Sequence, residues 1–262
     1  MAELKVKLEG LGEFECTGKE EFISPEIEKF YAALLPVAPV VHSVEDNSSP
    51  APVAAQNCIV KRTIESSDTC FADVLSLLMA GKLNLNVGDT ITVPLKDGTS
   101  AEFVLTQEDD EAYRFESVTC VGGDTVTRDK VDDLFENYLD LLPTMLIDNL
   151  LLTKRRYRDR NDAVQERESV LFLPSAPEVF PEDDVYGDSG LYEQMEYYKD
   201  RRHRMRKLTP ESEDTVSWWL MSAYAGSMSY FCRVYTAGNA SGTNASATWV
   251  GAPVCFRIRK SK

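Results

Sequence analysis

Apolar and polar residues alternate in several short segments, and each alternation predicts a β-strand. Residues 4–8 open the chain with this pattern. Residues 90–95 and 101–105 flank a Lys-Asp-Gly-Thr turn, which predicts a hairpin, and residues 113–121 would add a third strand. Residues 169–173, in which four apolar residues follow Ser169, predict a buried strand.

A spacing of three and four residues between apolar positions predicts helices elsewhere. One helix is predicted at 25–35, with Ser24 as its N-cap. Another is predicted at 68–80, with Gly81 as the residue that stops it. Residues 129–149 give the strongest helical pattern, which Pro143 should end or kink. Residues 192–206 fit a helix or an ordered crossing segment. Residues 36–56 lose periodicity and are rich in Pro, Ala, Val and Ser, which predicts a linker or extended arm.

The composition changes after Thr215. Between Ser217 and Phe256 the only charged residue is Arg233, and most residues of 221–251 are Gly, Ala, Ser, Thr or Asn. Such a composition is typical of a flexible linker. Seven aromatic residues nevertheless lie between Ser217 and Val250. We therefore expect short strands and loops that are held in place by aromatic packing. Residues 230–235 and 254–258 are the predicted strands, with a turn at 237–239.

The net charge of −15 argues against general affinity for nucleic acid. The chain shows no signal peptide and no apolar run long enough to cross a bilayer, so we expect no membrane insertion. Synthesis in a cytoplasm follows as an expectation, and it is compatible with a place in a phage virion. Two basic segments, 154–160 and 201–207, should pair with acidic runs such as 108–111 and 182–184, or be solvated.

Motifs for catalysis are missing from the sequence. Six cysteines and two histidines form no zinc-ligand spacing, and no phosphate-binding loop or catalytic triad pattern is present. We therefore predict no catalytic residue, no metal and no cofactor, with buried thiols in a reducing compartment. Calcium held by carboxylate runs and a nucleic-acid site at the basic segments are less favoured alternatives.

The C-terminal segments nevertheless follow a recurring order. These are Trp-Trp-Leu-Met-Ser at 218–222, Tyr-Phe-Cys-Arg-Val at 230–234, Gly-Asn-Ala at 238–240, Asn-Ala-Ser at 244–246 and Gly-Ala-Pro-Val-Cys-Phe-Arg-Ile at 251–258. Residues 83–262 resemble the C-type-lectin-like domain of the formylglycine-generating-enzyme branch, as found in Firmicutes and their phages. The resemblance implies an α+β chain with a small N-terminal segment (residues 1–60) followed by a C-type-lectin-like domain (61–262).

The same fold includes the variable proteins of diversity-generating retroelements, among them phage receptor-binding tips. In those proteins, small polar residues and tyrosines vary over a fixed scaffold, and residues 221–249 resemble that composition. Aromatic side chains supply contact area at low entropic cost, while Ser, Gly and Asn supply adaptable hydrogen bonds. The resemblance therefore implies a noncatalytic binding protein, encoded by a phage or prophage, whose partner is a protein or glycan on a bacterial surface.

The candidate ligand-binding residues share a position among small polar neighbours near the C-terminus. They are Tyr224, Ser227, Ser229, Tyr235, Asn239, Ser241, Thr243, Asn244, Ser246, Thr248 and Trp249. Trp218 and Trp219 would point to opposite faces of a strand, one into the core and one near the surface.

Two other functions stay open. The chain could be a virion structural or assembly subunit, with its N-terminal arm docking on neighbouring copies in a homo-oligomer. Alternatively, Cys232 and Cys255 could serve a copper-dependent oxidase, as a cysteine pair does in the formylglycine-generating enzymes. Ile258 stands where that family would have its terminal cysteine.

Overall fold

A computed structural model describes residues 2–8, 12–18, 62–65, 68–123, 125–158, 163–181, 188–225, 227 and 229–260, with side-chain surroundings from Phe71 onward. The predicted helix at 25–35 and the predicted arm at 36–56 lie outside these residues. Within them, the fold is α+β and its sheets are mostly antiparallel.

The largest sheet of the described residues has seven strands. They are β1 (Ala2–Leu8), β2 (Gly12–Gly18), β3 (Arg62–Glu65), β4 (Thr90–Pro94), β5 (Ser100–Glu108), β6 (Ala112–Val121) and β12 (Ala252–Arg259). Their order is β12-β6-β5-β4-β3-β1-β2, and all neighbouring pairs are antiparallel except β3 and β4. Strands of the N-terminal segment thus share a sheet with the C-terminal strand, and the proposed boundary near residue 60 stays a prediction.

Two smaller sheets complete the β-structure of the described residues. A hairpin is formed by β7 (Thr153–Arg158) and β8 (Val164–Ser169). A three-stranded antiparallel sheet has the order β11-β10-β9, from β9 (Trp218–Ala223), β10 (Tyr230–Val234) and β11 (Ala240–Asn244). All three strands of this sheet come from the charge-poor segment, which therefore contains regular secondary structure.

The predicted hairpin is confirmed, and so are the predicted strands at 4–8, 113–121, 230–235 and 254–258. β4 and β5 pair across a turn in which Gly98 has φ +85°, a conformation that favours glycine. The predicted third strand is β6, and the predicted C-terminal strands are β10 and β12. The turn at 237–239 is closed by the Tyr235 amide, which donates to the Asn239 carbonyl at 2.8 Å.

The described helices end largely where glycine and proline residues predict. α1 (Asp68–Met79) is followed by Gly81 at φ +63°. A 3₁₀ turn at Arg128–Lys130 leads into α2 (Val131–Leu141), and Pro143 separates α2 from the short α3 (Thr144–Ile147). Residues 192–206, predicted as a helix or crossing segment, contain the 3₁₀ turns Glu196–Lys199 and Arg201–Arg204.

The strand predicted at 169–173 is wrong. β8 ends at Ser169, and the following residues form no ladder apart from one bridge between Phe172 and Cys255 of β12. The apolar run is still buried, with Leu171, Phe172 and Leu173 each 5% exposed or less. The apolar run therefore reflects burial and not strand structure, because a buried loop needs apolar side chains as much as a buried strand does.

Two apolar clusters form the core, and β9 lies between them. The larger cluster joins α1, α2 and the seven-stranded sheet to Trp219. The second cluster includes Trp218, Leu220, Tyr198 and Val234 together with α4 (Ala176–Val179). The two tryptophans do point to opposite faces, yet both are 0% exposed. The expectation that one lies near the surface is wrong because both faces of β9 are covered.

Candidate functional site

The two basic segments contribute arginines to the interior, where they form ion pairs. Arg155 of β7 and Arg114 of β6 both bind the Glu178 carboxylate, with Arg114 Nη1 at 2.6 Å from Oε1. Arg206 Nη2 lies 2.7 Å from Glu116 Oε2, and Arg114 also pairs with Glu116. These partners differ from the predicted acidic runs. Glu108 and Asp109 pair instead with Lys260 and Arg257, and residues 182–184 lie outside the described residues.

The buried pairs shift the pKa of Glu178. Burial would raise this pKa, but the guanidinium groups of Arg114 and Arg155 outweigh burial and lower it from 4.5 to about 2. The ionised carboxylate is thus bound more tightly in the folded state. Its stabilising contribution is complete above pH 4.5 and is lost as the pH falls through about 2.

We expect the free energy of unfolding to fall as the pH is lowered from 4.5 to about 2, partly because Glu178 takes up a proton. The Glu178→Gln variant cannot take up this proton, so its stability should depend less steeply on pH over the same window. Urea unfolding of both proteins at several pH values measures the two slopes. Equal slopes would contradict the assignment, and Glu166→Gln, at an exposed pair with Lys154, is the control.

The β10–β11 hairpin of the three-stranded sheet has two faces with different residues. Residues directly opposite each other on paired strands share a face. Phe231 lies opposite Thr243, and Arg233 lies opposite Ser241, on one face. The alternating pairs, among them Tyr230 with Asn244, lie on the other face.

Arg233 is the centre of the first face. Its guanidinium carbon lies 4.5 Å from the Trp249 ring centroid and 5.2 Å from that of Tyr235, within cation–π distance of both. Trp249 is 48% exposed and Tyr235 is 46% exposed, whereas Arg233 itself is 9% exposed. Two large aromatic rings are thus held at the surface by a largely buried cation. We call Arg233, Tyr235 and Trp249 the arginine–aromatic cluster.

The cation of this cluster is incompletely partnered within the described part of the chain. Arg233 Nη1 donates to Ser217 Oγ at 2.7 Å, while its buried Nε has no hydrogen-bond partner. Ion pairs between described residues do not include Arg233, and burial lowers its pKa. A buried donor without a partner costs free energy, so the Arg233 guanidinium keeps hydrogen-bonding capacity that the described residues do not use.

The structure brings together some of the predicted ligand residues and separates others. Ser241 and Thr243 lie on the face of the arginine–aromatic cluster, and Asn239 lies in the adjoining turn. Asn244 shares the opposite face with Tyr230, and its side chain accepts from the Ser246 amide and hydroxyl. The remaining polar positions are Ser227 and Ser229, in the loop between β9 and β10, and the exposed Thr248, which precedes Trp249.

Tyr224 has a packing role that its sequence neighbours did not reveal. Its side chain is partly buried against the second cluster, and its ring covers Gly242 so closely that a Cβ there would lie 2.5 Å from Tyr224 Cδ2. Tyr224 therefore lies apart from Tyr235 and Trp249. Arg233, which was not among the predicted ligand residues, lies at the centre of the candidate site. The signal for Arg233 was its isolation as a charge in the segment 217–256.

The two cysteines of the oxidase alternative lie in different sheets. Cys232 is on β10 and Cys255 is on β12, and both side chains are 0% exposed. Cys232 donates to the Ala223 carbonyl at 3.3 Å, and burial raises the pKa of the Cys255 thiol well above its usual value. A raised pKa keeps a thiol protonated and poorly reactive. In the described residues, no group of three or more His, Cys, Asp or Glu could hold a metal ion.

Residues 136–260 match the sequence model of a family described as Domain of unknown function (DUF6273). The match begins within α2 and ends after β12, so it includes the arginine–aromatic cluster. This part of the chain is similar to that family. No curated protein and no solved structure matches the chain. Within the described residues, no helix is long and apolar enough to span a membrane.

Proposed function

We propose that the chain is a noncatalytic ligand-binding protein with a C-type-lectin-like C-terminal domain. Its ligand surface is centred on the arginine–aromatic cluster and extends over Ser241, Thr243 and Asn239. The order of the C-terminal segments from Trp218 to Ile258 supports the lectin-like assignment. The single observation that carries the binding function is the pair of half-exposed rings held over an incompletely partnered arginine.

Residue chemistry supports this choice of surface. Trp, Tyr and Arg are the residue types that contribute most often to binding energy at protein interfaces. The neighbouring Ser, Thr and Asn side chains can donate and accept hydrogen bonds at the rim. Because the rings are already held in place by Arg233, little side-chain entropy is lost when a partner binds.

The partner that we propose is a protein or glycan on a bacterial surface, and the gene is proposed to be of phage or prophage origin. The diversified character of the surface is part of the same proposal and is supported by the composition of residues 221–249. Either type of partner would offer an oxygen acceptor to Arg233. Apolar patches, including the C–H faces of sugars, would pack on Trp249 and Tyr235.

Labelling of intact cells tests this proposal. Fluorescently labelled protein is mixed with a panel of Firmicutes strains, and binding is measured by flow cytometry. We expect the wild-type protein to label at least one strain. The double variant Y235A/W249A should bind about tenfold more weakly or worse, since it removes both contact rings. Treatment of the cells with protease or with periodate then distinguishes a protein receptor from a glycan.

The matched control is Tyr230→Ala. Tyr230 is 43% exposed, like Tyr235, but lies on the opposite face of the hairpin. We expect Y230A to bind as the wild type does. The proposal is overturned if no strain is labelled, if Y235A/W249A labels cells normally, or if Y230A loses as much binding as the double variant.

A further inference from the structure

The turn between β10 and β11 carries Tyr235 and Asn239 of the proposed ligand surface. Two backbone hydrogen bonds close this turn: the Gly238 amide donates to the Tyr235 carbonyl at 2.7 Å, and the Tyr235 amide donates to the Asn239 carbonyl at 2.8 Å. Gly238 has φ +78°, a conformation that favours glycine. These two bonds do not include the carbonyls of Thr236 and Ala237, which lie at the tip of the turn.

Both of these carbonyls accept hydrogen bonds from side chains that are distant in the sequence. Arg201 Nε donates to the Ala237 carbonyl at 2.7 Å, and Thr215 Oγ1 donates to the Thr236 carbonyl at 2.9 Å. Gly238 also lies against Arg201, since a Cβ there would be 3.0 Å from the Arg201 carbonyl oxygen and 3.1 Å from its Cγ. Arg201 thus holds the turn both by a charged donor and by close contact with its backbone.

The 3₁₀ turn Arg201–Arg204, which supplies this contact, is itself fixed to the interior. The Arg204 carbonyl accepts from Nε1 of the fully buried Trp218 at 2.8 Å. Arg204 Nε donates to the carbonyl of Tyr198, another fully buried residue, at 2.7 Å. Trp218 and Tyr198 both belong to the second cluster of the core. Arg201 therefore connects the β10–β11 turn to that cluster.

The same turn determines where the backbone of Tyr235 lies. The Tyr235 ring is 46% exposed, and its centroid lies 5.2 Å from the Arg233 guanidinium carbon. The Tyr235 amide and carbonyl, in contrast, both form the hydrogen bonds of the turn. A movement of the turn would therefore move Tyr235 and Asn239 together. A surface that is already held in one arrangement loses less conformational entropy when a partner binds.

We propose that Arg201 is a positioning residue of the ligand surface, which holds the β10–β11 turn so that Tyr235 and Asn239 meet the partner in one arrangement. Arg201 acts through its hydrogen bond to Ala237 and its contact with Gly238, and this role requires no contact with the partner. The inference rests on the proposed function, because it names what fixes part of that surface. It also gives a role to the basic segment 201–207, which lies outside the charge-poor segment.

Amide hydrogen exchange followed by NMR tests the effect of Arg201 on the turn without any partner. Arg201→Met removes the donor and keeps the aliphatic stem that lies against Gly238. We expect the Tyr235 and Gly238 amides to exchange about fivefold faster or more in R201M, since a hydrogen bond from a charged group no longer restrains the turn. Arg201→Lys keeps a charged donor and should restore slower exchange. The Trp219 amide, which donates to the Gly251 carbonyl, should exchange as in the wild type.

Cell labelling with the same variants tests the effect on binding. On a strain that the wild-type protein labels, R201M should bind about threefold more weakly or worse, and R201K should bind nearly as the wild type does. In the Y235A background, R201M should weaken binding by a smaller factor, because the ring that Arg201 positions is missing.

The matched control is Arg202→Met, at the next position of the same 3₁₀ turn. The Arg202 side chain is exposed and pairs with Asp200. We expect R202M to match the wild type both in the exchange of the Tyr235 and Gly238 amides and in cell labelling.

Four results would overturn the positioning role of Arg201. They are wild-type exchange of the Tyr235 and Gly238 amides in R201M, equal acceleration of the Trp219 amide, normal cell labelling by R201M, and the same effects from R202M as from R201M. The proposed function would survive any of these results if Y235A/W249A still loses binding. If the wild-type protein labels no strain, the proposed function fails, and the positioning role fails with it whatever the exchange rates are.

Discussion

Replacement of Glu178 by alanine is expected to lower the free energy of unfolding by about 3–5 kcal/mol, because it leaves two buried arginines without their shared carboxylate. Glu178 is 4% exposed and binds both Arg114 and Arg155. It also accepts from the Ser175 amide at 2.7 Å, which fixes the start of α4. One truncation therefore removes an ion-pair centre and a helix cap together.

The control for this prediction is Glu166→Ala on the neighbouring strand β8. Glu166 pairs with Lys154, but both side chains are more than half exposed. Solvent weakens such a pair, so the loss should be at most about 1 kcal/mol. Urea unfolding at neutral pH measures both variants. A loss from E178A no larger than that from E166A would show that the buried network contributes little to stability.

Truncation of Trp218 to alanine should also be severe, at about 3–5 kcal/mol, because it opens a cavity in the second cluster. Trp218 is fully buried, its Nε1 donates to the Arg204 carbonyl at 2.8 Å, and the Arg206 guanidinium lies 5.0 Å from the ring centroid. The variant therefore loses an apolar contact surface, a hydrogen bond and a cation–π contact at one position.

Trp249→Ala is the matched control for Trp218→Ala. Trp249 is half exposed, so its removal leaves little cavity, and we expect a change of at most about 1 kcal/mol. Thermal and urea unfolding of both variants give the comparison. A stability loss from W249A that equals the loss from W218A would mean that Trp249 is a core residue. The binding effect of Y235A/W249A would then need a structural explanation.

The candidate site was only partly predictable from the sequence. The segment 221–249 and the residues Tyr235 and Trp249 were identified by their composition, since large aromatics among small polar neighbours are unusual. Arg233 was noticed as an isolated charge, but its contact with both rings depends on the strand pairing and on the loop that carries Trp249. Tyr224 has the same local sequence character, yet its ring packs on Gly242 of β11, two strands away in the sheet, where the missing side chain leaves room.

The buried ion pairs could not be predicted from residues that are close together in the sequence. Arg114 and Glu178 are 64 residues apart, and Arg206 and Glu116 are 90 residues apart. Nearby acidic runs offered partners in sequence, but only the fold decides which carboxylate is buried beside which guanidinium. The contact of Arg128 with β9 has the same origin, because its hydrogen bonds join residues more than 90 positions apart.

The sequence by itself determined where several local elements turn or end. The turn at Gly98 and the stop at Gly81 follow from the positive φ that glycine allows, and the break at Pro143 follows from the ring of proline, which does not fit inside a helix. Only the tertiary structure decided which surfaces meet. It buried both Trp218 and Trp219, because a second layer covers the face of β9 that a two-layer arrangement would leave open. It also placed Tyr235 and Trp249, about half exposed, over Arg233.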